Sequence, residues 1–195
     1  MNIFSWRGGG LPVQVGRTLI REILRAEGPV VLPLNEESVR VAAKFARKPS
    51  YVRQLVEKDF HLRDLCGLAT YVMSQGKVVL PLFDAEHERI ARRHLSADFW
   101  RLPSEVDVTA YMRNQVFEAE ARQMLHHFER FRANPPALLF AEDNHAIVLG
   151  KLFRRKVMWL TKPSTVFGEP RQTAKKTFRK IMEIMRGRPK PKKRR

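Results

Sequence analysis

The chain has 195 residues, with 37 Lys and Arg against 20 Asp and Glu, a net charge of +17. Residues 151–195 hold 17 of the basic residues and only two acids, Glu169 and Glu183, so +15 of the charge sits there and +2 on residues 1–150. A chain that is 44% hydrophobic and contains one cysteine, Cys66, can bury a core. Disorder throughout, an intramolecular disulfide and a Cys-based zinc site are thereby excluded, and apolar runs as short as residues 30–34 and 137–141 exclude a bilayer span of roughly 20 residues.

The first 21 residues contain Arg7, Arg17 and Arg21, no acid, and Ser5 as their one serine. Their charge is similar to that of a mitochondrial presequence; the alternative is a flexible strap over residues 1–11, with Gly8-Gly9-Gly10 as its link. Residues 12–104 read as tandem helical units. Gly28-Pro29-Val30-Val31-Leu32-Pro33-Leu34 recurs 48 residues later as Gly76-Lys77-Val78-Val79-Leu80-Pro81-Leu82. Chance is the alternative for so short a match. Leu19, Ile20, Ile23 and Leu24 precede the first copy at helical spacing, and Leu65, Leu68, Ala69 and Val72 the second. Further helices follow over 36–46 and 85–95. Pro33 and Pro81 each remove a ladder donor, so the two segments are expected as extended connectors on the core, with Asn35 and Asp84 as helix N-caps.

Residues 105–166 form the next unit. A helix is expected over 108–132, with Tyr111, Met112, Gln115, Phe117, Met124, Leu125, Phe128 and Phe131 on one face and Asn134-Pro135-Pro136 as its stop. Short apolar runs at 137–141, 145–149 and 152–160 are separated by Asp143-Asn144 and Gly150-Lys151, which suggests a small β-hairpin or meander; a helix through 151–160 competes. Residues 167–195 are the basic end: a linker, an amphipathic helix over 171–185 and a tail too charged and proline-rich to pack. In the helix Ala174, Phe178, Ile181, Met182 and Met185 form the apolar stripe, and Lys175, Lys176, Arg179 and Lys180 the cationic face. The fold class is therefore mainly α (α+β): tandem helical units, a small hairpin near 137–160 and a disordered basic C-terminal arm.

In residues 38–56, Ala42, Ala46 and Val52 occupy the small, turn and branched positions of two short helices, with Pro49 suited to the first turn of the second. This segment resembles a helix-turn-helix, and with the helix upstream it is similar to the opening of a winged-helix domain. The resemblance implies a recognition helix carrying Lys48, Ser50, Tyr51, Arg53 and Gln54. It departs from the motif at Ala46, where glycine is usual, and at Arg47, where an apolar residue is. Two packed helices without DNA contact are the alternative. In the tail, Arg186-Gly187-Arg188-Pro189 resembles an AT-hook, which implies insertion into a narrow A·T-rich minor groove. Pro191-Lys192-Lys193-Arg194-Arg195 is similar to a nuclear localisation signal. A polycation threading into folded RNA, in the manner of ribosomal-protein extensions, needs only charge and reach.

Catalytic patterns are absent. His87 and His94 are seven apart, with Ala91 where a zinc-protease histidine would stand, and His126 and His127 point to different helix faces. Gly8-Gly9-Gly10 lacks the flanking strand, Lys and Ser or Thr of a phosphate cradle, and Cys66 reads as a small core residue. No metal or other cofactor is expected. The expected function is a non-enzymatic, RNA-bound ribonucleoprotein component, with a mitochondrial ribosome as a natural setting and protein neighbours around it; a membrane partner is not favoured. Its nucleic-acid contacts are assigned to Arg154, Arg155, Lys156, Lys175, Lys176, Arg179, Lys180, Arg186, Arg188, Lys190, Lys192, Lys193, Arg194 and Arg195. A DNA-binding regulator or chromatin protein, acting in the nucleus through residues 38–56 and the tail, is the second reading. The third is an interaction protein that docks helix 171–185 on a protein groove or acidic membrane.

Overall fold

The structure is a computed structural model and describes residues 1–6, 11–95, 108–160 and 170–187. These residues are mainly helical around a small sheet of five strands. In chain order the elements are β1 (Asn2–Trp6), α1 (Val13–Arg25), β2 (Val30–Asn35), α2 (Glu36–Ala46), α3 (Pro49–Glu57), α4 (Phe60–Arg63) and α5 (Leu65–Ser74). They continue with β3 (Val79–Phe83), α6 (Ala85–Leu95), α7 (Val108–Ala133), β4 (Leu138–Glu142), α8 (Asp143–Phe153), β5 (Val157–Trp159) and α9 (Pro170–Gly187).

The sheet order is β3-β2-β4-β1-β5, and every pairing is parallel. A parallel sheet must be covered on both faces, and side chains alternate between them. Phe4, Val30, Leu32, Leu138 and Phe140 pack on one side with Leu19, Ile23, Leu68 and Val72 of α1 and α5. Ile3, Val31, Leu139 and Ala141 pack on the other with Met124, Leu125, Val148, Leu149, Ala174 and Ile181 of α7, α8 and α9.

Several sequence expectations are overturned here. The residues 2–6 are not a strap but β1, held between β4 and β5, with Ile3, Phe4 and Ser5 buried. Cleavage after them would remove an internal strand. The two repeated apolar segments are not connectors either; they are the adjacent strands β2 and β3. Pro81 is tolerated because β3 lies at the sheet edge. Pro33 is tolerated because β4 pairs with β2 only at Val30 and Val31, and the chain bulges just beyond. Val30 faces Val79, a spacing of 49, whereas Asn35 faces Phe83, a spacing of 48; the extra residue between Leu32 and Asn35 absorbs the difference. The predicted caps hold: Asn35 Oδ1 accepts from the Ser38 N–H at 2.8 Å, and Asp84 Oδ1 from the His87 N–H at 2.9 Å.

There is no hairpin at 137–160. Residues 143–153 are a helix, and β4 and β5 flank β1 in parallel, so this stretch is a β–α–β crossover. Asp143-Asn144 opens a helix instead of a turn, with Ala146, Leu149 and Gly150 buried on its inner face. Ser5 Oγ donates to Asp143 Oδ1 at 2.7 Å and ties β1 to the start of α8. At Gly150 a Cβ would lie 2.7 Å from Val157 Cγ2, which is why the helix can turn so closely into β5. Arg154 closes α8 in the left-handed region, at φ 55°. Cys66 is exposed on α5, not in the core. Its thiol is nevertheless pushed up by partial burial and the Asp64 carboxylate, which disfavours the reactive thiolate. Among the described residues no helix is long and apolar enough to cross a membrane.

Candidate nucleic-acid interface

α9 is the element on which the sequence reading of the basic end must be revised. It is amphipathic as expected, but its inner stripe is Ala174, Thr177 and Ile181, all fully buried against α7 and α8. Phe178 and Met182 are only half-buried at its flank, and Met185 is exposed. The helix is thus a wall of the core instead of a detachable arm. What it offers solvent is a ridge of Lys175, Lys176, Arg179 and Arg186. Among the described residues none of these four makes an ion pair; Lys180 is different. Its Nζ lies 2.8 Å from Glu118 Oε2, and Arg122 holds the other oxygen of the same carboxylate at 2.7 Å. Burial would raise the Glu118 carboxyl, but the hydrogen bonds from Lys180 and Arg122 outweigh it and hold the group below its ordinary range.

Lys176 Nζ sits 5.7 Å from the centre of the Phe117 ring on α7, and Lys151 Nζ 5.4 Å from that of Phe178. Each cation therefore keeps an apolar contact while its charge stays accessible. Arg154, Arg155 and Lys156 are exposed in the turn after α8. Lys151 is about one helical turn before them, which puts that turn of chain beside α9. The strand suggested for the run 152–160 is confined to Val157–Trp159, and Arg154, Arg155 and Lys156 lie in this exposed turn before it. The rest of the proposed contact set, Arg188, Lys190, Lys192, Lys193, Arg194 and Arg195, lies outside the described residues, as does the second half of the AT-hook-like segment, Arg188-Pro189.

Beside the ridge runs a cleft. Between α7 and α9 it measures about 690 Å³, with Phe117, Lys176, Arg179 and Lys180 in its walls together with the acids Glu118 and Glu183. A second cavity of about 190 Å³ continues it between α6 and α7, lined by Arg89, Arg93, Arg122 and His126 among others. His94 belongs to both. Glu86 occupies Arg89 through two hydrogen bonds of 2.6 and 2.8 Å, whereas Arg93 has no ion-pair partner among the described residues. Asp84 anchors this end of α6. It lies 2.9 Å from both His126 Nε2 and Arg130 Nη1 and caps α6 at the His87 amide. Burial would raise its carboxyl, yet those hydrogen bonds and charges keep it below the usual carboxylate range. The contribution of α6 was missed in the sequence, where its histidines were weighed as metal ligands; the Arg89, Arg92 and Arg93 spacing was the available signal.

The helix-turn-helix-like segment does form two helices, α2 and α3, with Pro49 at the start of the second and Ala42 buried. Lys48, Ser50, Tyr51, Arg53 and Gln54 are all exposed. Tyr51 stacks on Phe45 with ring centres 4.4 Å apart, and Lys48 lies over the same ring. The structure does not bring these residues to the α9 ridge. α2 and α3 belong to the α1–α5 side of the sheet and α9 to the opposite side. β1 supplies the strand that the Gly8-Gly9-Gly10 run was thought to lack, although residues 7–10 themselves lie outside the described residues. Among the described residues no group of three His, Cys, Asp or Glu could hold a metal ion. No family model, curated protein or solved structure matches this chain.

Proposed function

We propose that this protein is a non-enzymatic nucleic-acid-binding component of a ribonucleoprotein, with RNA favoured over DNA. The observation that carries this reading is the rigid α9 ridge. Lys175, Lys176, Arg179 and Arg186 are exposed and without acid partners among the described residues, on a helix whose opposite side is locked into the core. Cations on a helix already fixed to the core meet phosphates without the cost of ordering their backbone, and the basic residues 188–195 extend the same charge along the chain. The cleft beside the ridge adds the apolar edge of Phe117, and the smaller cavity that continues it adds Arg93, a surface suited to a sugar–phosphate chain with an unstacked base. RNA is favoured because this surface is a ridge and cleft, and among the described residues no helix stands free beside it to enter a DNA major groove. The compartment proposed is the mitochondrial matrix, with the nucleus second; in either, residues 2–6 must be retained, because they form β1.

Lys175→Glu, Arg179→Glu and Arg186→Glu together should leave the fold intact, since all three side chains are exposed. They should weaken binding to structured RNA about 100-fold at moderate salt and lower the log–log salt slope by about 2. Fluorescence anisotropy across a salt series reads both. Unchanged affinity and slope would remove α9 from the interface. Arg53→Ala with Gln54→Ala is the matched comparison: a selective loss among DNA sequences there would favour the DNA-regulator reading.

A further inference from the structure

Four of the six histidines, His87, His126, His127 and His145, gather where β3 passes into α6 and meets α7 and α8. His127 is fully buried in α7, its ring nearly parallel to that of His87 at 5.1 Å and next to Phe131 at 6.2 Å. His87 Nδ1 and His127 Nε2 are 3.0 Å apart, a hydrogen bond with room for one proton. His127 Nδ1 is buried with no hydrogen-bond partner. The arrangement that leaves no buried N–H unpaired therefore puts the proton on His127 Nε2, donating to His87 Nδ1. Adding a proton to either ring ends that arrangement: one N–H still lies between the rings, but His127 Nδ1 must then carry a buried N–H that faces no acceptor, and the pair carries a positive charge with His127 out of contact with water.

The consequence falls on α6. None of its described side chains is fully buried, so little apolar burial holds it down. Its attachment to α7 depends on polar contacts: His87 to His127, Gln123 Nε2 donating to the His87 carbonyl at 3.1 Å, and Asp84 to His126 and Arg130. We propose that the His87–His127 pair is an acid-sensitive latch that fastens α6 to α7 and lets it go when the pair takes up a proton.

Burial is the leading influence on both rings, and it acts in the same sense. At His87 burial disfavours the charged form most; Asp84 and Glu88 favour it, His126 opposes it, and the net effect keeps the ring neutral. At His127 burial comes first, and His87, His126, His145 and Arg130 all add to it. His145, buried on α8 and facing His87, is pushed down to about 4. Closed-state values below the ordinary 6.5 mean that the open state binds more protons. The latch is therefore intact above about pH 6.5 and weakens as pH falls below it, by up to about tenfold per histidine per pH unit.

Hydrogen exchange on the full chain tests this, with α5 as internal reference and rates corrected for intrinsic pH dependence. Between about pH 7.5 and pH 5.5 the protection of α6 amides should fall roughly 10- to 100-fold relative to α5. His87→Phe with His127→Phe keeps aromatic rings beside Phe83 and Phe131, and in that variant the ratio should change less than about twofold. A wild-type ratio that holds, or a double variant that keeps the full pH dependence, overturns the latch. Imidazole titration by NMR in the unmodified protein is a second reading, and values at or above 6.5 for both rings would also overturn it. α6 carries Arg89, Arg93 and His94, so release would unmake one wall of the cleft; this last step rests on the nucleic-acid reading. RNA affinity at neutral pH tests that reading separately: exchange that fails sinks the latch alone, and absent neutral-pH binding sinks the interface alone.

Discussion

Ile181→Asp is expected to unfold the protein. Ile181 is fully buried in the inner stripe of α9, between Ala174, Thr177 and the α7–α8 surface. Losing its apolar burial costs on the order of 2–5 kcal/mol, and an unpaired carboxylate in the same place costs several more. A domain of this size has only about 5–15 kcal/mol in hand. Lys175→Glu, one residue from Ala174 on the exposed side, should change stability by no more than about 0.5 kcal/mol. Urea unfolding followed by circular dichroism separates the two. An Ile181→Asp protein with unchanged stability would restore α9 to the status of a loose arm and would remove the rigidity on which the proposed interface depends. For the same reason, loss of RNA binding on deleting residues 171–195 would be uninformative, because the deletion takes part of the core with it.

Gly16→Ala should destabilise the protein by about 3 kcal/mol, against the helix propensity that favours alanine by about 1 kcal/mol. A Cβ at Gly16 would lie 2.1 Å from the Leu62 carbonyl oxygen and 2.8 Å from its carbon. The obstruction is backbone, so no rotamer change relieves it, and α1 and α4 would have to part. Gly187→Ala provides the contrast. Nothing lies within 4 Å of its added methyl, and its effect should stay within about 1 kcal/mol. If Gly16→Ala raised the unfolding midpoint instead, the α1–α4 contact would be looser than the structure has it. Gly67, whose Cβ would meet the Phe60 carbonyl oxygen at 2.7 Å, packs α5 on α4 in the same way.

Local chemistry was legible wherever it acts within a few residues. The bounds of α2 and α6, the Asn35 and Asp84 caps, Pro49 at the start of α3 and the stop of α7 before Asn134-Pro135-Pro136 all follow from side chains that bond or block their own neighbouring backbone. Strand identity was not legible, because a parallel strand covered on both faces shows no polar alternation. Residues 30–34 and 138–141 therefore looked like connectors and a hairpin, and prolines that would break a central ladder proved harmless at an edge and a bulge. The cationic character of the C-terminal end was plain from composition alone. Whether that charge sits on a loose arm or a fixed ridge depends on Ala174, Thr177 and Ile181 finding α7 and α8, a contact between distant parts of the chain. The same holds for Arg93 and the His87–His127 pair. Only the packing of α6 on α7 brings residues 40 apart to hydrogen-bonding distance, and sequence spacing has no term for that.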